Sequence, residues 1–331
     1  MQKVNNEVLV KKATELLNNG TVSLVLGWQK GEFDYDVTPT LFKDAESLEK
    51  GFVYSDFCGI NLSKYLVAKT KEVEGKILVF LKPCDTYSFN QLLTEHRFDR
   101  EKVYAVGIPC DGMVDIGKVK EITGDGIYSV TSENGTLTVE TLYGEKKEVK
   151  NADVLLEKCA SCKSKKHVAY DELIGETGEA VDSNRFDEVA RIEAMTPDER
   201  FAFWQNELSK CIRCNACRDA CPACTCEKCV FDNPNSGVEN KAPANEFEEK
   251  MFHIIRAFHV AGRCTDCGEC SRACPQNIPL HLLNRKFIKD INNCYGEYQA
   301  GSEVGQRGPL VNYTFDDIEP HEVFDKGDNN A

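Results

Sequence analysis

Cysteine is the residue type that most clearly carries chemistry in this sequence. The chain has 331 residues and 17 cysteines, and 11 of them lie between Cys211 and Cys274. The run from Cys211 to Cys221 and the run from Cys264 to Cys274 share the spacing C-x2-C-x2-C-x3-C-P. Three thiolates spaced in this way can hold a cubane cluster from a tight loop, while the fourth begins a turn that points away from it. The spacing therefore predicts two 4Fe–4S clusters.

In two-cluster proteins with this spacing, the fourth cysteine of each run binds the cluster of the other run. The predicted ligands of the first cluster are Cys211, Cys214, Cys217 and Cys274. Those of the second cluster are Cys264, Cys267, Cys270 and Cys221. Zinc is the alternative, because C-x2-C pairs also form tetrahedral zinc sites. Zinc does not require the third and fourth cysteines at these offsets, so the spacing favours iron–sulfur clusters.

Two further cysteines follow buried strands in the first half of the chain. The strings Lys82-Pro-Cys84-Asp and Ile108-Pro-Cys110-Asp each end an apolar run, and parallel strands end at one edge of a sheet. A C-x-x-C pair, Cys159 and Cys162, follows the last predicted strand. Four thiols at one edge predict a third 4Fe–4S cluster, and Lys82, Lys158 and Lys163 nearby would ease its reduction. Buried free cysteines plus a thioredoxin-like redox pair are the alternative.

The remaining candidates carry weaker patterns. Cys224, Cys226 and Cys229 extend the first run and could replace a ligand, hold zinc or another cluster, or only pack. Cys58 and Gly59 precede a predicted helix and, with Lys82, are candidate cofactor contacts, although Cys58 is equally consistent with a buried structural cysteine. His253, Arg256 and His259 share one face of a predicted helix, either packed or solvated, or close to a cluster or a partner. No acid–base or nucleophilic catalytic set is found.

The elements that must position these cysteines alternate between strand and helix signals. Apolar runs predict strands at 21–27, 76–81 and 102–108, and helices at 5–19, 61–72 and 87–95 separate them. This alternation predicts an α/β domain with a mostly parallel sheet over 1–165, which serves as a docking or cofactor domain. A hairpin is predicted at 127–130 and 137–142 around Asn134-Gly135, with 154–156 returning to the sheet.

The second half is predicted to be helical and organised around the cysteines. Residues 166–210 form a polar helical bridge, and 211–294 form a bacterial ferredoxin-like two-cluster module. Within that module a loop at 232–244 precedes helices at 246–261 and 279–291. Residues 295–331 form an acidic tail that extends over a partner or another surface.

Composition narrows the class of protein. Hydrophobic residues make up 41% of the chain and the formal net charge is −14, which argues against nucleic-acid binding. No apolar run approaches the ~18 residues of a membrane span, and the N-terminus lacks the features of a signal peptide. We therefore expect a cytoplasmic protein with no membrane segment.

Two long stretches resemble a known family. Residues 211–229 and 251–275 resemble the C-terminal module of the beta subunit of deazaflavin-linked formate dehydrogenases and hydrogenases. Residues 107–110 and the C-x-x-C pair at 159–162 are similar to the N-terminal domain of that family. The string Lys82-Pro-Cys-Asp85 also resembles the iron–sulfur subunits of sulfhydrogenase and anaerobic sulfite reductase.

The resemblance implies an electron-transfer subunit of a cytoplasmic redox complex. Such a subunit links a catalytic partner to a flavin-containing subunit or a ferredoxin, and in the formate dehydrogenase relatives it also holds FAD. Here the expected glycine-rich stretch is reduced to residues 58–63, and there is no G-x-G-x-x-G string. A flavin-bearing oxidoreductase that reduces a deazaflavin or nicotinamide is the alternative, and a zinc-containing scaffold is a third hypothesis.

Overall fold

The computed structural model describes residues 4–144, 146–179, 184–233 and 246–312, with residues 246–249 described by their backbone alone. The strands are β1 Leu24–Lys30, β2 Val37–Phe42, β3 Ile77–Leu81, β4 Val103–Gly107, β5 Ile127–Glu133, β6 Thr136–Thr141, β7 Lys146–Lys150 and β8 Glu172–Leu173. The helices are α1 Asn6–Asn18, α2 Ala45–Gly51, α3 Ser63–Glu72, α4 Pro83–Thr94, α5 Ile116–Thr123, α6 Glu157–Ala160, α7 Asp187–Glu193, α8 Pro197–Leu208, α9 Ala216–Asp219, α10 Glu246–Val260, α11 Glu269–Arg272 and α12 Leu280–Tyr295.

A five-stranded sheet with the order β2-β1-β3-β4-β8 forms the centre of the N-terminal half. Strands β1, β3, β4 and β8 are parallel, and β2 joins the β1 edge antiparallel. All five residues of β3 are buried, as expected for a central parallel strand whose two faces are both covered. This confirms the predicted α/β domain with a mostly parallel sheet.

The helix α4 begins four residues earlier than the predicted helix, and this difference changes the position of Cys84. Pro83 occupies the first helical position, where its fixed φ and missing N–H cost nothing. Cys84 and Asp85 therefore lie in the first turn of α4, directly after β3. The cysteine is held by a helix start and not by a free loop.

A separate three-stranded antiparallel sheet, β5-β6-β7, contains the predicted hairpin. Asn134 and Gly135 form its turn with φ of 49° and 78°, the left-handed conformations that an Asn-Gly turn favours. The expected return of 154–156 to the large sheet is wrong, because Leu155 makes only an isolated bridge to Val114. Strand β8 occupies that sheet edge beside β4.

The segment predicted as a helical bridge is helical only in its second part. It first runs along the large sheet as β8, and helices α7 and α8 follow. The start of α8 is fixed by a capping box, in which Thr196 accepts from the Glu199 N–H and the Glu199 carboxylate accepts from the Thr196 N–H. The linker thus belongs partly to the α/β domain.

The C-terminal part is built on α10 and α12, which correspond to the predicted helices at 246–261 and 279–291. Most of the predicted loop at 232–244 and residues 313–331 of the predicted tail lie outside the described residues. The described beginning of the tail packs back on the module, where the Tyr298 hydroxyl donates to the Gly262 carbonyl at 3.1 Å. No helix among the described residues is long and apolar enough to cross a membrane.

Candidate iron–sulfur sites

The two cysteine loops of the C-terminal module have the same backbone shape. The residues two and four positions after the first cysteine of each loop adopt positive φ, namely Arg213, Asn215, Asp266 and Gly268. Each loop then enters a one-turn helix, α9 or α11, that contains the third cysteine. Left-handed residues at both positions curl the chain tightly, so that cysteines separated by two residues face the same side of the loop.

A cavity at the first loop collects thiols from both runs, and we call it site 1. Its cysteines are Cys211, Cys214, Cys217 and Cys274. Burial raises the pKa of Cys217 to about 11 overall, with the Arg256 guanidinium acting to lower it and the thiols of the other three site 1 cysteines acting to raise it. Cys274 comes from the second run, so the structure brings together the set that the crossed pattern predicts.

The second loop surrounds a matching group, which we call site 2. Its cysteines are Cys264, Cys267, Cys270 and Cys221. Burial raises the pKa of Cys267 to about 11 and that of Cys270 to about 12, and the nearby Cys221 thiol adds to both shifts. Burial also raises the pKa of Cys264, and the Cys221 thiol is among the groups that raise it further. Cys221 therefore lies near all three cysteines of the other run.

A third cavity lies at the carboxyl edge of the large sheet, and we call it site 3. Its cysteines are Cys84, Cys110, Cys159 and Cys162. Cys84 is held by the first turn of α4, Cys110 follows β4, and Cys159 lies in the short helix α6. Burial raises the pKa of Cys84, Cys159 and Cys110, the last to about 11. Buried thiols of this kind ionise only when a cation compensates the charge.

Lysines supply positive charge around site 3. Lys158, Lys163 and Lys165 line its cavity. Burial lowers the pKa of Lys165, but the surrounding cysteines, Cys110 first, raise it above its ordinary value overall. Lys163 donates to the Thr265 carbonyl and lies 4.1 Å from the centroid of the Tyr87 ring. The cavity therefore favours a group of negative charge.

Site 3 adjoins site 2 directly. Asp266 and Cys267 of the second loop line the same cavity as the four site 3 cysteines. A buried ion pair joins α6, which carries Cys159, to α11 of the second loop, because the Lys158 ammonium contacts the Glu269 carboxylate and also donates to the Gly59 carbonyl at 2.6 Å. Burial raises the pKa of Glu269, but Lys158 and Arg272 lower it to about 2 overall.

The predicted cofactor contacts lie beside site 3 and do not line its cavity. Cys58 is fully buried in the α/β core, where the Ser55 N–H donates to its sulfur at 3.3 Å. Lys82 is also buried, forms an ion pair with Asp85 at 2.8 Å and donates to the Ile60 carbonyl. The segment around Gly59 is thus bound by two lysines of the α/β domain, Lys82 at Ile60 and Lys158 at Gly59.

The three extra cysteines of the first run have different surroundings. A hydrogen bond from Cys221 lowers the pKa of Cys224 to about 7, against the effect of burial. Cys226 is exposed, and Cys229 packs against the apolar cluster around Phe231. They do not form a compact triad.

The zinc alternative requires donors that converge on one ion. Within the described ranges, no group of three or more His, Cys, Asp or Glu side chains is arranged to hold a single metal ion. Zinc needs four ligands about 2.0–2.3 Å from one centre. A cubane spaces its thiolates farther apart, because each sulfur binds a different iron atom.

Several polar residues at these sites were not predicted from the sequence. Asp266 and Glu269 stand between cysteines of the second run, but their partners come from distant segments. For Arg256 the sequence leaves open a packed or solvated helix face or a position close to a cluster or a partner, and the structure buries it beside the cysteines of sites 1 and 2. The sequence signal for Asp266 and Glu269 is their position, because acidic residues between the cysteines of one loop must lie close to any group that the loop binds.

A separate cavity opens next to Cys110, and the residues that line it all belong to the N-terminal half of the chain. Aromatic and charged side chains line it, including Lys30, Asp34, Tyr54, Phe57 and Asp111. The Tyr54 hydroxyl donates to the Pro109 carbonyl at 2.8 Å, which fixes the ring beside the Cys110 segment. The cavity thus adjoins a site 3 cysteine.

Comparison with known proteins supports the iron–sulfur interpretation. Residues 207–278 match the model of a 4Fe-4S dicluster domain. The chain is 24% identical to the F420-dependent formate dehydrogenase subunit beta of Methanocaldococcus jannaschii, over 85% of this chain and 88% of the relative. It is also 24% identical to subunit beta of F420-dependent formate dehydrogenase 1 of Methanococcus maripaludis, over 83% of this chain and 87% of the relative.

Two further similarities are more distant. A succinate dehydrogenase iron-sulfur subunit of Bacillus subtilis is 28% identical over 33% of this chain and 50% of the relative. A chain of the F420-reducing NiFe hydrogenase complex from Methanosarcina barkeri aligns with a TM-score of 0.37 and 14% identity, over 63% of this chain and 89% of that chain. The family resemblance and the predicted iron–sulfur electron-transfer function are confirmed by the dicluster match and the formate dehydrogenase relatives.

Proposed function

We propose that this chain is the beta-type electron-transfer subunit of a multi-subunit cytoplasmic oxidoreductase. It relays electrons between a catalytic subunit and a flavin-containing subunit or a ferredoxin. The two formate dehydrogenase beta subunits support this proposal, because each matches more than four-fifths of the chain. Sites 1, 2 and 3 would each hold one 4Fe–4S cluster, and bound clusters would supply one-electron carriers.

The observation that carries the proposal is the continuity between site 3 and site 2. Cys267 belongs to the second cysteine loop and also lines the cavity of the four N-terminal cysteines. The buried pair of Lys158 and Glu269 joins α6, beside site 3, to α11 of the second cysteine loop. A relay needs redox centres that are close and rigidly placed, and these residues provide that placement.

The residues present fit thiolate-ligated clusters. Burial keeps most of the thiols protonated in the absence of a ligand, and metal binding deprotonates a coordinating thiol outright. The lysines around site 3 then balance the negative charge of the bound group. Cys58 does not line the site 3 cavity and is a structural thiol in this proposal.

Site 1 would form the end of the relay that a partner approaches. Cys214 is exposed, and the neighbouring Ile212 side chain is 59% exposed. An exposed apolar side chain beside a redox site is suited to a protein contact. Site 3 lies at the opposite end, next to the cavity around Tyr54 and Phe57.

Iron analysis of the full chain after anaerobic reconstitution tests the proposal. We expect about twelve iron atoms per chain from three cubanes. Cys110→Ser should lower this number by about four. The matched control is Cys58→Ala, which alters another buried thiol of the same domain and should leave the iron content unchanged.

The possible results separate the parts of the proposal. About eight iron atoms in both the unmodified chain and Cys110→Ser would eliminate site 3 as a cluster site and leave the dicluster module. Zinc in place of iron, or no metal after reconstitution under reducing conditions, would eliminate the electron-transfer function as a whole.

A flavin-bearing oxidoreductase is the second candidate, and the cavity beside Cys110 favours it. The rings of Tyr54 and Phe57 are suited to stack on the planar ring of a flavin such as FAD, whereas Lys30 is paired with Asp34 at 2.8 Å, and Asp56 and Asp111 also line the cavity. We expect flavin fluorescence in the filtrate after the anaerobically isolated protein is denatured. A colourless filtrate would eliminate this candidate without affecting the iron analysis.

A further inference from the structure

Helix α10 carries two buried polar side chains that the proposed ligand sets do not use. Arg256 is 4% exposed and His253 is 2% exposed. They are three residues apart and therefore lie on one face of the helix. That face is turned toward the cysteines of the first run, since the Arg256 Nη2 donates to the Cys217 carbonyl at 2.9 Å.

The Arg256 guanidinium lies between site 1 and site 2. Its strongest electrostatic interactions are with the thiols of Cys221, Cys217, Cys224 and Cys270. No carboxylate within the described part of the chain forms an ion pair with it, and its Nε has no hydrogen-bond partner there. Cysteines of both sites, together with Cys224, thus surround its charge.

A buried guanidinium cannot escape its charge by losing a proton, because its pKa is above ~12. Burial of an unpaired charge is costly, so such a group persists only where a counter-charge is present. Thiolate-ligated clusters carry negative charge and would be that counter-charge on both sides of Arg256. Arg256 would then be shared between the two sites.

His253 faces site 1. Its ring lines the cavity of the four site 1 cysteines, and neither ring nitrogen has a partner among the described residues. A buried ring N–H is rarely left without an acceptor. The space between the site 1 cysteines is where such an acceptor would be supplied.

We propose that α10 sets the reduction potentials of the two C-terminal sites, with Arg256 acting on both and His253 acting on site 1. This inference rests on the proposed function, since it requires clusters at sites 1 and 2. A fixed positive charge stabilises the state with one more electron, and a hydrogen bond to a cluster sulfur acts in the same direction. Both residues are positioning and tuning residues and not cluster ligands.

The test is a redox titration of the reconstituted full chain, followed by electron paramagnetic resonance. Arg256→Gln should lower both C-terminal midpoint potentials, with the ratio of reduced to oxidised cluster falling at least about tenfold, which is ~59 mV for one electron. Arg256→Lys keeps the charge and should change the ratio by no more than about threefold. Arg191→Gln removes an exposed arginine on α7 and should change neither potential, because solvent screens its charge.

His253→Phe should lower the potential of one C-terminal cluster and leave the other at its original value. Phenylalanine keeps an aromatic ring of similar size in the cavity and removes the N–H. Equal shifts of both clusters, or no shift, would contradict the assignment of His253 to site 1.

Unchanged potentials in iron-replete Arg256→Gln would overturn the inference and leave the proposed function intact. An unmodified chain that binds no iron would overturn the proposed function. If Arg256→Gln does not assemble its clusters, the test of the inference is made with Arg256→Lys. Cluster assembly with unchanged potentials in that variant supports the counter-charge role, and failure to assemble shows that the guanidinium shape, and not its charge, is required.

Discussion

The buried ion pair of Lys82 and Asp85 lies next to site 3, and its contribution to the stability of the chain gives a quantitative test of the structure. The Lys82 Nζ lies 2.8 Å from Asp85 Oδ2, and the two side chains are 1% and 0% exposed. The same Nζ donates to the Ile60 carbonyl at 2.9 Å and lies 4.5 Å from the centroid of the Trp28 ring. Asp85 follows Cys84 directly, so the pair is adjacent to a proposed ligand.

The substitution Lys82→Met keeps most of the side-chain volume and removes the charge. Asp85 then stays buried, and among the described residues it has no other ion-pair partner. Removing one member of a buried pair costs about 3–5 kcal/mol, because the remaining charge is uncompensated. At about 2–4 °C per kcal/mol for a domain of this size, we expect the melting temperature to fall by about 10 °C.

Anaerobic thermal denaturation at one fixed scan rate, followed by circular dichroism, measures this effect. The double variant Lys82→Met/Asp85→Asn removes both charges and should recover most of the lost stability. Lys76→Met is the control, since Lys76 is exposed just before β3 and its loss should change the melting temperature by no more than about 2 °C.

Two results would refute this reasoning. A melting temperature of Lys82→Met within about 2 °C of the unmodified chain would show that the pair contributes little. A double variant as unstable as the single one would show that the methionine disturbs packing and that Asp85 is not left unpaired.

Three other predictions concern the contact between sites 2 and 3. Cys267→Ser should remove about four iron atoms per chain and one of the two C-terminal paramagnetic signals, and unchanged iron would contradict the site 2 assignment. Gly268→Ala should destabilise the chain by about 2 kcal/mol or more, because Gly268 has a φ of +66° and an added Cβ would collide with Lys158. The control is Asn215→Gly at the equivalent position of the first loop, which should be neutral in the same melting assay. Glu269 has a pKa lowered to about 2, so its stabilising charge is fully present above its unfolded pKa of about 4.3 and is lost as the pH falls toward 2. The melting temperature advantage of the unmodified chain over Glu269→Gln should therefore shrink between pH 5 and pH 3, and a constant difference would contradict it.

Local sequence patterns predicted much of the fold. The Asn134-Gly135 turn and the central strand β3 were found because each depends on residues that are adjacent in the chain. The pattern predicts a helix start at residue 87, whereas α4 starts at Pro83, because the chain passes from β3 into the helix almost without a loop. Strand β8 was missed, because two residues on a sheet edge carry no periodic signal.

The cysteine spacing by itself predicted 4Fe–4S clusters and the crossed ligand sets of the C-terminal sites. Tight loops and the following one-turn helices are local, so spacing alone fixes which thiols face each other within a run. The convergence of Cys84, Cys110 and the C-x-x-C pair was predicted from strand order, which is the part of tertiary structure that a repeated βαβ pattern makes visible.

Only the tertiary structure decided what surrounds the cysteines. The contact of Lys158 with Glu269 joins residues 111 positions apart, and the position of Arg256 between two sites depends on how α10 packs over both loops. A sequence records which residues carry charge, but burial and long-range packing decide which charges meet. For this chain those contacts place the sites side by side and determine the charge that each one experiences.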